Sequence, residues 1–255
     1  MAHKLPCLVL LVMALGFCTA AQEHASSPQS PDKAPTVTFT LDRASGEPHR
    51  YKISVDSTGR ASYQIAPAQT GANWVSEGSQ ITEGSRISQA SEMAGDPPEI
   101  VKFTMDPATV GHVFELARQT NYFQGDFDYH KHRIADTGRK TLAYADAGRA
   151  SQTEYNWSEN SAIAELTKIF TGIAATLDFG PRLQYLWAHD KLGLDQELSS
   201  MESLADSGEL AELQIVAPVL QQIASDPSIM NIARERARRI LQHAGLPLST
   251  SSAPD

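Results

Sequence analysis

The chain has 255 residues, 41% of them hydrophobic, and it carries 21 basic and 30 acidic residues for a net charge of −9. This acidic balance argues against broad binding to nucleic acid, because the phosphate backbone requires a basic surface. We therefore predict no nucleic-acid partner. A chain of this length can bury most of its apolar surface, so a core that is stable without disulfides is expected.

Residues 1–21 have the pattern of a cleavable signal peptide for secretion. Lys4 is followed by the apolar run Leu5 to Phe17 and by the small residues Thr19-Ala20-Ala21, which is the order of such signals. The run is shorter than the ~20 apolar residues of a membrane-spanning helix. We therefore expect an exported protein, periplasmic or secreted, with no transmembrane segment in the mature chain. Lipidation at Cys18 is disfavoured, because the residue before it is the bulky Phe17.

Both cysteines, Cys7 and Cys18, lie inside this predicted signal. The mature chain is therefore expected to have no disulfide, no thiol nucleophile and no thiolate metal ligand. Loss of Lys4 with the signal leaves 20 basic and 30 acidic residues, a net charge of −10. The hydrophobic core alone must then stabilise the exported protein.

Composition divides the rest of the chain into four segments. We predict a flexible Ser- and Pro-rich leader at 22–35, an α+β domain at 36–180, a helical domain at 181–245 and a disordered tail at 246–255. The stretch 66–98 has little β-branched or aromatic content, and we expect most of it to be loop.

Alternating apolar residues predict an antiparallel sheet in the first of these domains. Apolar side chains alternate with threonines at 36–41, and the segment 51–65 is predicted as a hairpin around a glycine turn. A further short strand is expected at 100–105, and a second hairpin at 142–155.

Start and stop signals predict the helices. Asp106-Pro107 indicates a helix start, because an acidic N-cap followed by proline at the first helical position is favourable. After Gly180-Pro181 only helical spacing follows, with a bend at Pro218 and a last helix that begins at Asp226-Pro227 and stops at Gly245. The predicted fold class is α+β: an antiparallel sheet of two hairpins plus an extra strand, with helices on one face, followed by an all-helical C-terminal region.

The stretch from about Thr36 to Leu177 resembles a family of uncharacterised domains in exported bacterial proteins. The matching features are the strands Val37–Leu41 and Tyr51–Val55, and the helix Asp106–Gln119 followed by Asn121-Tyr122-Phe123. Members of this family often carry a cysteine pair between the first two strands, where this sequence has Ala44 to His49. The resemblance implies an exported α+β protein, and it implies no chemistry.

The most suggestive local pattern is the run Asp126-Phe127-Asp128-Tyr129-His130-Lys131-His132. In an extended segment its aspartates and histidines would share one side, and imidazoles with carboxylates are ligands that zinc and copper accept. Alternate side chains are about 7 Å apart along a strand, so a closed site would need a further ligand such as His112 or His49. The alternative is a solvated polar loop. The candidate metal ligands are Asp126, Asp128, His130 and His132.

Catalytic motifs are absent from the sequence: it contains no Gly-x-Ser-x-Gly, no Walker loop and no Gly-x-Gly-x-x-Gly. The pair Asp126 and Asp128 could do acid–base work, but such pairs are common in loops. The basic cluster Arg234 to Arg239 is interpreted as a solvated helix face near a C-terminus, where positive charge is favourable. Asn156-Trp157-Ser158 is a glycosylation sequon that matters only in a eukaryotic source.

These observations favour a non-catalytic binding or structural module, without a cofactor, that contacts a protein or an envelope component. A metal-binding protein that uses the Asp/His run is the second hypothesis. A hydrolase acting outside the cytoplasm is the third hypothesis. It is ranked last because the sequence presents no set of acid, base and nucleophile.

Overall fold

The computed structural model describes residues 34–43, 50–65 and 100–247. The predictions made for the signal peptide, for most of the leader, for His49, for the stretch 66–98 and for the end of the tail lie outside these residues.

Within these residues, six antiparallel strands form one sheet in the spatial order β4-β3-β2-β1-β5-β6. They are β1 (Thr36–Asp42), β2 (Arg50–Asp56), β3 (Arg60–Ile65), β4 (Ile100–Thr104), β5 (Arg139–Ala145) and β6 (Ala150–Tyr155). Strand β1 lies between β2 and β5, so that Phe39 pairs with Ile53 on one side and with Leu142 on the other. The predicted antiparallel sheet is confirmed.

One face of the sheet is buried under two helices. In β1 and β2 every second residue is buried, because side chains alternate across a strand and only one face meets the core. Phe39 of β1 stacks on Phe170 of the covering helix, with ring centroids 5.3 Å apart. The opposite face presents polar side chains such as Thr38 and Ser54, whose hydroxyls lie 3.1 Å apart.

The described residues form five α-helices beside the sheet: α1 (Pro107–Gln119), α2 (Ser161–His189), α3 (Leu194–Asp206), α4 (Ala217–Ser225) and α5 (Asn231–His243). The predicted start of α1 is confirmed, since the Asp106 carboxylate accepts a hydrogen bond from the Ala108 N–H at 2.8 Å. The predicted stop after α5 is also confirmed, because Gly245 has a φ of 65°. Among the described residues, no helix combines the length and apolar character that crossing a membrane requires.

Helix α2 continues through Gly180-Pro181, where the sequence pattern indicated a change of segment. Proline inside a helix removes one backbone donor and crowds the preceding turn. The helix nevertheless runs for 29 residues, and its side chains Leu177 and Leu183 are buried on either side of the proline. Packing therefore outweighs the local preference here. The domain boundary at 180/181 stays a prediction, and it falls within continuous helix.

Two other helix predictions are wrong. Pro218 lies in the first turn of α4 and does not bend a helix, since a proline is tolerated where its N–H would have no partner. Asp226 does not cap α5, which begins at Asn231. Instead, the Asp226 carboxylate accepts hydrogen bonds from the Ser228 N–H at 2.8 Å and from the indole N–H of Trp187 at 3.0 Å.

The buried side chains form two clusters that share α2. The first cluster lies between the sheet and helices α1 and α2, and it includes Phe170 and Ile173. The second lies among α2, α3, α4 and α5, and it includes Phe179 and Leu183. Successive turns of one helix therefore supply both cores.

The chain between α3 and α4 packs closely against α2 and α1. The Thr176 hydroxyl donates to the Ala211 carbonyl at 2.7 Å, and a Cβ on Gly172 would lie only 3.0 Å from the Glu209 carbonyl oxygen. The buried Glu212 carboxylate accepts the Asp106 N–H at 2.7 Å. These contacts join the C-terminal helices to the sheet layer.

Candidate functional site

Two cavities lie along α2, one on each side of a hydrogen bond between Tyr63 and Asp178. The Tyr63 hydroxyl donates to Asp178 Oδ1 at 3.2 Å. The first, which we call the polar cavity, has a volume of about 370 Å³, and the second, the apolar cavity, about 390 Å³. Asp178 belongs to the wall of both. Cavities of this size are in the range that holds small molecules.

The polar cavity collects charged groups from the ends of β1 and β5, from α2 and from the segment that follows α3. Its charged lining residues are Arg43, Lys140, Lys168, Asp178 and Glu209. Its hydroxyl groups come from Tyr51, Thr137 and Thr171. Three cations and two acids give this cavity a positive balance in a protein that is acidic as a whole.

Arg43, the residue after β1, has a guanidinium nitrogen without a hydrogen-bond partner in the part of the chain that the structure describes. Its Nε is buried and has no hydrogen-bond acceptor among the described residues. The stem of Arg43 passes over Gly138, where a Cβ would lie 2.5 Å from its Cγ. Because an unsatisfied buried donor costs about 1–3 kcal/mol, an anion that accepted this hydrogen bond would be held favourably.

Lys140 adds positive charge to the same cavity without offering a free donor. The residue is 8% exposed, and its ammonium group donates to Thr137 Oγ1, to the Gly138 carbonyl and to the Asn156 carbonyl at 2.7–3.1 Å. Burial lowers the pKa of Lys140, and the charge of Arg43 lowers it further. An anion in the cavity would reduce this repulsion between the two cations.

The boundary between the cavities is a carboxyl group paired with a phenol. Burial raises the pKa of Asp178, although the hydrogen bond from Tyr63 and the charges of Arg182 and Arg43 act in the opposite direction. Burial and the neighbouring Asp178 raise the pKa of Tyr63, so its hydroxyl keeps its proton and acts as the donor. The Tyr51 ring lies beside Tyr63, with centroids 5.6 Å apart.

The apolar cavity lies between the β3–β4 edge of the sheet, α2 and the start of α4. Its hydrophobic lining residues are Ile65, Val101, Leu177, Ile215, Val216 and Val219, together with Pro181 and Pro218. Besides Tyr63 and Asp178, its polar side chains are two amides, Gln184 and Gln222. A cavity with this lining favours a hydrocarbon group over a charged one.

The structure does not bring the four predicted metal ligands together around one point. His130 Nε2 lies 3.0 Å from Asp126 Oδ2 and its Nδ1 lies 3.8 Å from Asp128 Oδ2, whereas His132 packs against the Tyr129 ring. In the ranges that the structure describes, no three His, Cys, Asp or Glu side chains are grouped to hold a metal ion. His112, the proposed extra ligand, pairs with Glu165 elsewhere. The metal site stays a prediction.

Asp128 and Asn156 hold the loop that contains these residues. Asp128 Oδ1 accepts the Asn156 N–H at 2.9 Å. The Asn156 side-chain amide accepts the Thr137 N–H and donates to the Ala135 carbonyl, each at 2.8 Å. The nitrogen that glycosylation would modify is thus occupied in a structural hydrogen bond, so we interpret the sequon as part of the fold.

A third cavity, of about 620 Å³, lies at the opposite end of the sheet and includes Phe114, Tyr122 and Tyr144 in its wall. Beside it, Asn121, Tyr122 and Phe123 all have positive φ, from 50° to 67°. Such a backbone costs about 1–3 kcal/mol per non-glycine residue. The buried Phe123 ring and the Arg149 guanidinium, 4.1 Å above the Tyr122 ring, explain how this turn is held without a ligand.

Sequence reasoning missed the residues of the polar and apolar cavities. Tyr63 and Asp178 meet although 115 positions separate them, and no local motif indicates this contact. The one available signal was an acid in an apolar stretch of helix, because Asp178 stands between Leu177 and Phe179, both buried.

No protein-family model matches this chain, and no curated protein is significantly similar to it. The resemblance to domains of exported bacterial proteins therefore stays a prediction. The structure defines an α+β fold with two cavities along α2.

Proposed function

We propose that this protein is an exported, non-catalytic binding module that holds a small organic anion in the polar cavity. The single observation that carries the proposal is the Arg43 guanidinium, whose buried Nε has no acceptor among the described residues and which lies close to the positive charge of Lys140. A carboxylate or phosphate ester would accept hydrogen bonds from this guanidinium and would offset both charges.

The remaining groups support binding rather than catalysis. The Lys140 ammonium is fully used in hydrogen bonds to the loop around it, so it cannot readily transfer a proton. Tyr63 has a raised pKa and is committed as a donor to Asp178. General acid–base catalysis needs groups whose pKa lies near the working pH, and the Tyr63 phenol does not meet this need.

The binding test compares anions with neutral analogues by isothermal titration calorimetry on the mature protein. We expect small carboxylates and phosphate esters to bind, and their amides to bind much more weakly. Arg43→Gln should weaken anion binding about 10- to 100-fold, because hydrogen bonds to charged groups contribute about 1.5–3 kcal/mol. Arg133→Gln is the matched control, since it removes the same charge from an exposed residue that lines neither cavity. Equal affinity in the two variants would rule out the proposed site.

Export is part of this proposal, and it is supported by the charged start, apolar run and small residues of positions 1–21. Expression of the full chain in a bacterial host, followed by fractionation and mass spectrometry, tests it. We expect a product that begins near Gln22 in the periplasm or the medium. An uncleaved chain in the cytoplasm would contradict export.

A contact with a protein or envelope component is the second candidate role. Tyr185, Leu192 and Ile232 in the C-terminal helices are large apolar side chains that are more than half exposed, and exposed apolar surface is typical of interaction sites when it is contiguous. Pull-down from envelope fractions with the mature protein, and with Leu192→Lys and Ile232→Lys together, tests this role. A partner that binds the two forms equally would show that these side chains are not its surface.

A further inference from the structure

We infer that the bound anion is an amphiphile, with its charged head in the polar cavity and a hydrocarbon chain in the apolar cavity. This inference rests on the proposed anion site and adds the class of ligand that the site takes. It follows from the way in which the two cavities are arranged along one helix and from the contrast between their linings.

The two cavities follow one face of α2. Among the residues that this helix contributes, one series recurs every three or four positions: Thr171 and Ala175 in the polar cavity, Asp178 in both, Pro181 and Gln184 in the apolar cavity. Residues at this spacing share a helix face. The ten positions from Thr171 to Pro181 correspond to a rise of about 15 Å. An elongated molecule lying along α2 would contact both cavities.

The linings of the two cavities favour a ligand with one charged end and one hydrocarbon end. Arg43 and Lys168 present positive charge at one end, whereas Val101, Leu177 and Val219 present hydrocarbon at the other. A compact anion would leave the apolar cavity unused, and a purely apolar ligand would leave the Arg43 Nε without an acceptor. A single-chain carboxylate or phosphate satisfies both.

The two cavities meet at Asp178, which lines both of them. Tyr63 and Asp178 are joined there by one hydrogen bond of 3.2 Å, and the adjoining Tyr51 and Tyr63 rings offer flat apolar surface. Burial raises the pKa of the Asp178 carboxyl group. The hydrocarbon chain of the ligand can pass along these rings from one cavity to the other once the hydrogen bond between Tyr63 and Asp178 breaks and their side chains rotate.

The test is a chain-length series of free carboxylates, from acetate through hexanoate to decanoate, titrated below their micelle concentrations into the mature protein. Affinity should rise about fourfold for each methylene that is buried, and the rise should stop when the apolar cavity is full. A parallel series of alkyl phosphates distinguishes a phosphate head from a carboxylate head, and a chain-length dependence in either series supports the inference.

Two variants locate the ends of the ligand. Val219→Phe adds a ring to the wall of the apolar cavity, so it should reduce decanoate affinity toward that of acetate and leave acetate binding unchanged. Arg43→Gln should weaken every member of the series. Leu192→Phe makes a similar addition at a residue that is 76% exposed, and it should alter neither. Thermal melts monitored by circular dichroism establish that each variant is folded.

The outcomes separate this inference from the proposed function. Short anions that bind through Arg43 with no gain from longer chains would overturn the amphiphile and leave the anion site in place. Decanoate that binds equally well to wild type, Arg43→Gln and Val219→Phe would also overturn it, because binding would then be non-specific. Failure of all anions to bind would overturn both.

Discussion

The C-terminal helices and the polar cavity differ in how their arginine side chains are paired with acidic groups. Between α3 and α5, Arg236 bonds to Asp195 and to Glu202, each at 2.8 Å, and Arg239 also bonds to Glu202. In the polar cavity, Arg43 has no ion-pair partner among residues 34–43, 50–65 and 100–247, and its Nε donates no hydrogen bond there, while the positive charge of Lys140 lies near it. Paired arginines stabilise a fold, whereas an unpaired arginine beside a second cation indicates a place for an anion.

The same contrast extends to the two cores. Strands of the sheet bury alternate residues over α1 and α2, and their charged groups are confined to the polar face and the strand ends. Helices α3 and α5 carry apolar and charged residues in separate stripes, so their charges meet across the packed interface. The packing of the sheet on α1 and α2 leaves cavities, whereas the packing of α3 on α5 is bordered by ion pairs.

The largest effect is expected in the sheet core. Phe170→Ala removes a fully buried ring that stacks on Phe39, and it should lower the free energy of unfolding by about 3–5 kcal/mol. Urea unfolding followed by circular dichroism measures this loss. Leu192→Ala, at an exposed position, should stay within about 0.5 kcal/mol of wild type. Similar losses in the two variants would contradict the assignment of Phe170 to the core.

The loop around the predicted metal ligands should depend on Asn156. Asn156→Ala removes an acceptor from the Thr137 N–H and a donor to the Ala135 carbonyl, so we expect a loss of about 1–3 kcal/mol. Limited proteolysis should then cut between Gln124 and Gly138. The control is Gln152→Ala at an exposed strand position. A cleavage rate equal to that of the control would show that this amide does not hold the loop.

A matched pair of arginine variants sharpens the comparison directly. Arg236→Gln breaks two ion pairs and should lower the free energy of unfolding by about 1 kcal/mol, because the groups are partly exposed. Arg43→Gln, measured without ligand, should leave stability unchanged or raise it, since it removes a cation that repels Lys140. Urea unfolding of both variants decides the matter. A clear loss of stability in Arg43→Gln would mean that Arg43 is structural.

How much of this could be predicted from sequence depends on the range of the interactions. The strands at 36–41 and the start of α1 at Asp106 follow from neighbouring residues, because alternation and capping are local. Helix α2 through Gly180-Pro181 was missed, since packing on both sides outweighs the proline. The polar cavity was missed altogether, because Arg43 and Asp178 come together only when the sheet closes on α2.

A smaller effect is expected from pH. Hydrogen bonds from Ser228 and from the Trp187 indole lower the pKa of Asp226 from 3.8 to about 2. A depressed folded-state pKa contributes stability above the ordinary value, and this contribution is lost as pH falls from about 4 toward 2. In Asp226→Asn, the melting temperature of the protein should change less with pH over this interval than it does in wild type. In Ser228→Ala, NMR titration should find the pKa of Asp226 shifted upward, and an unchanged pKa would contradict the assigned cause.

The smallest effect is expected from metals. His130 pairs with Asp126 while His132 packs on Tyr129, so zinc or copper has no assembled ligand set in this loop and should leave the melting temperature unchanged. Thermal melts with and without each metal, on wild type and on the double variant His130→Ala/His132→Ala, test this. A rise in wild type that disappears in the double variant would establish the metal site instead, because only rearrangement of the loop could bring both imidazoles to one ion.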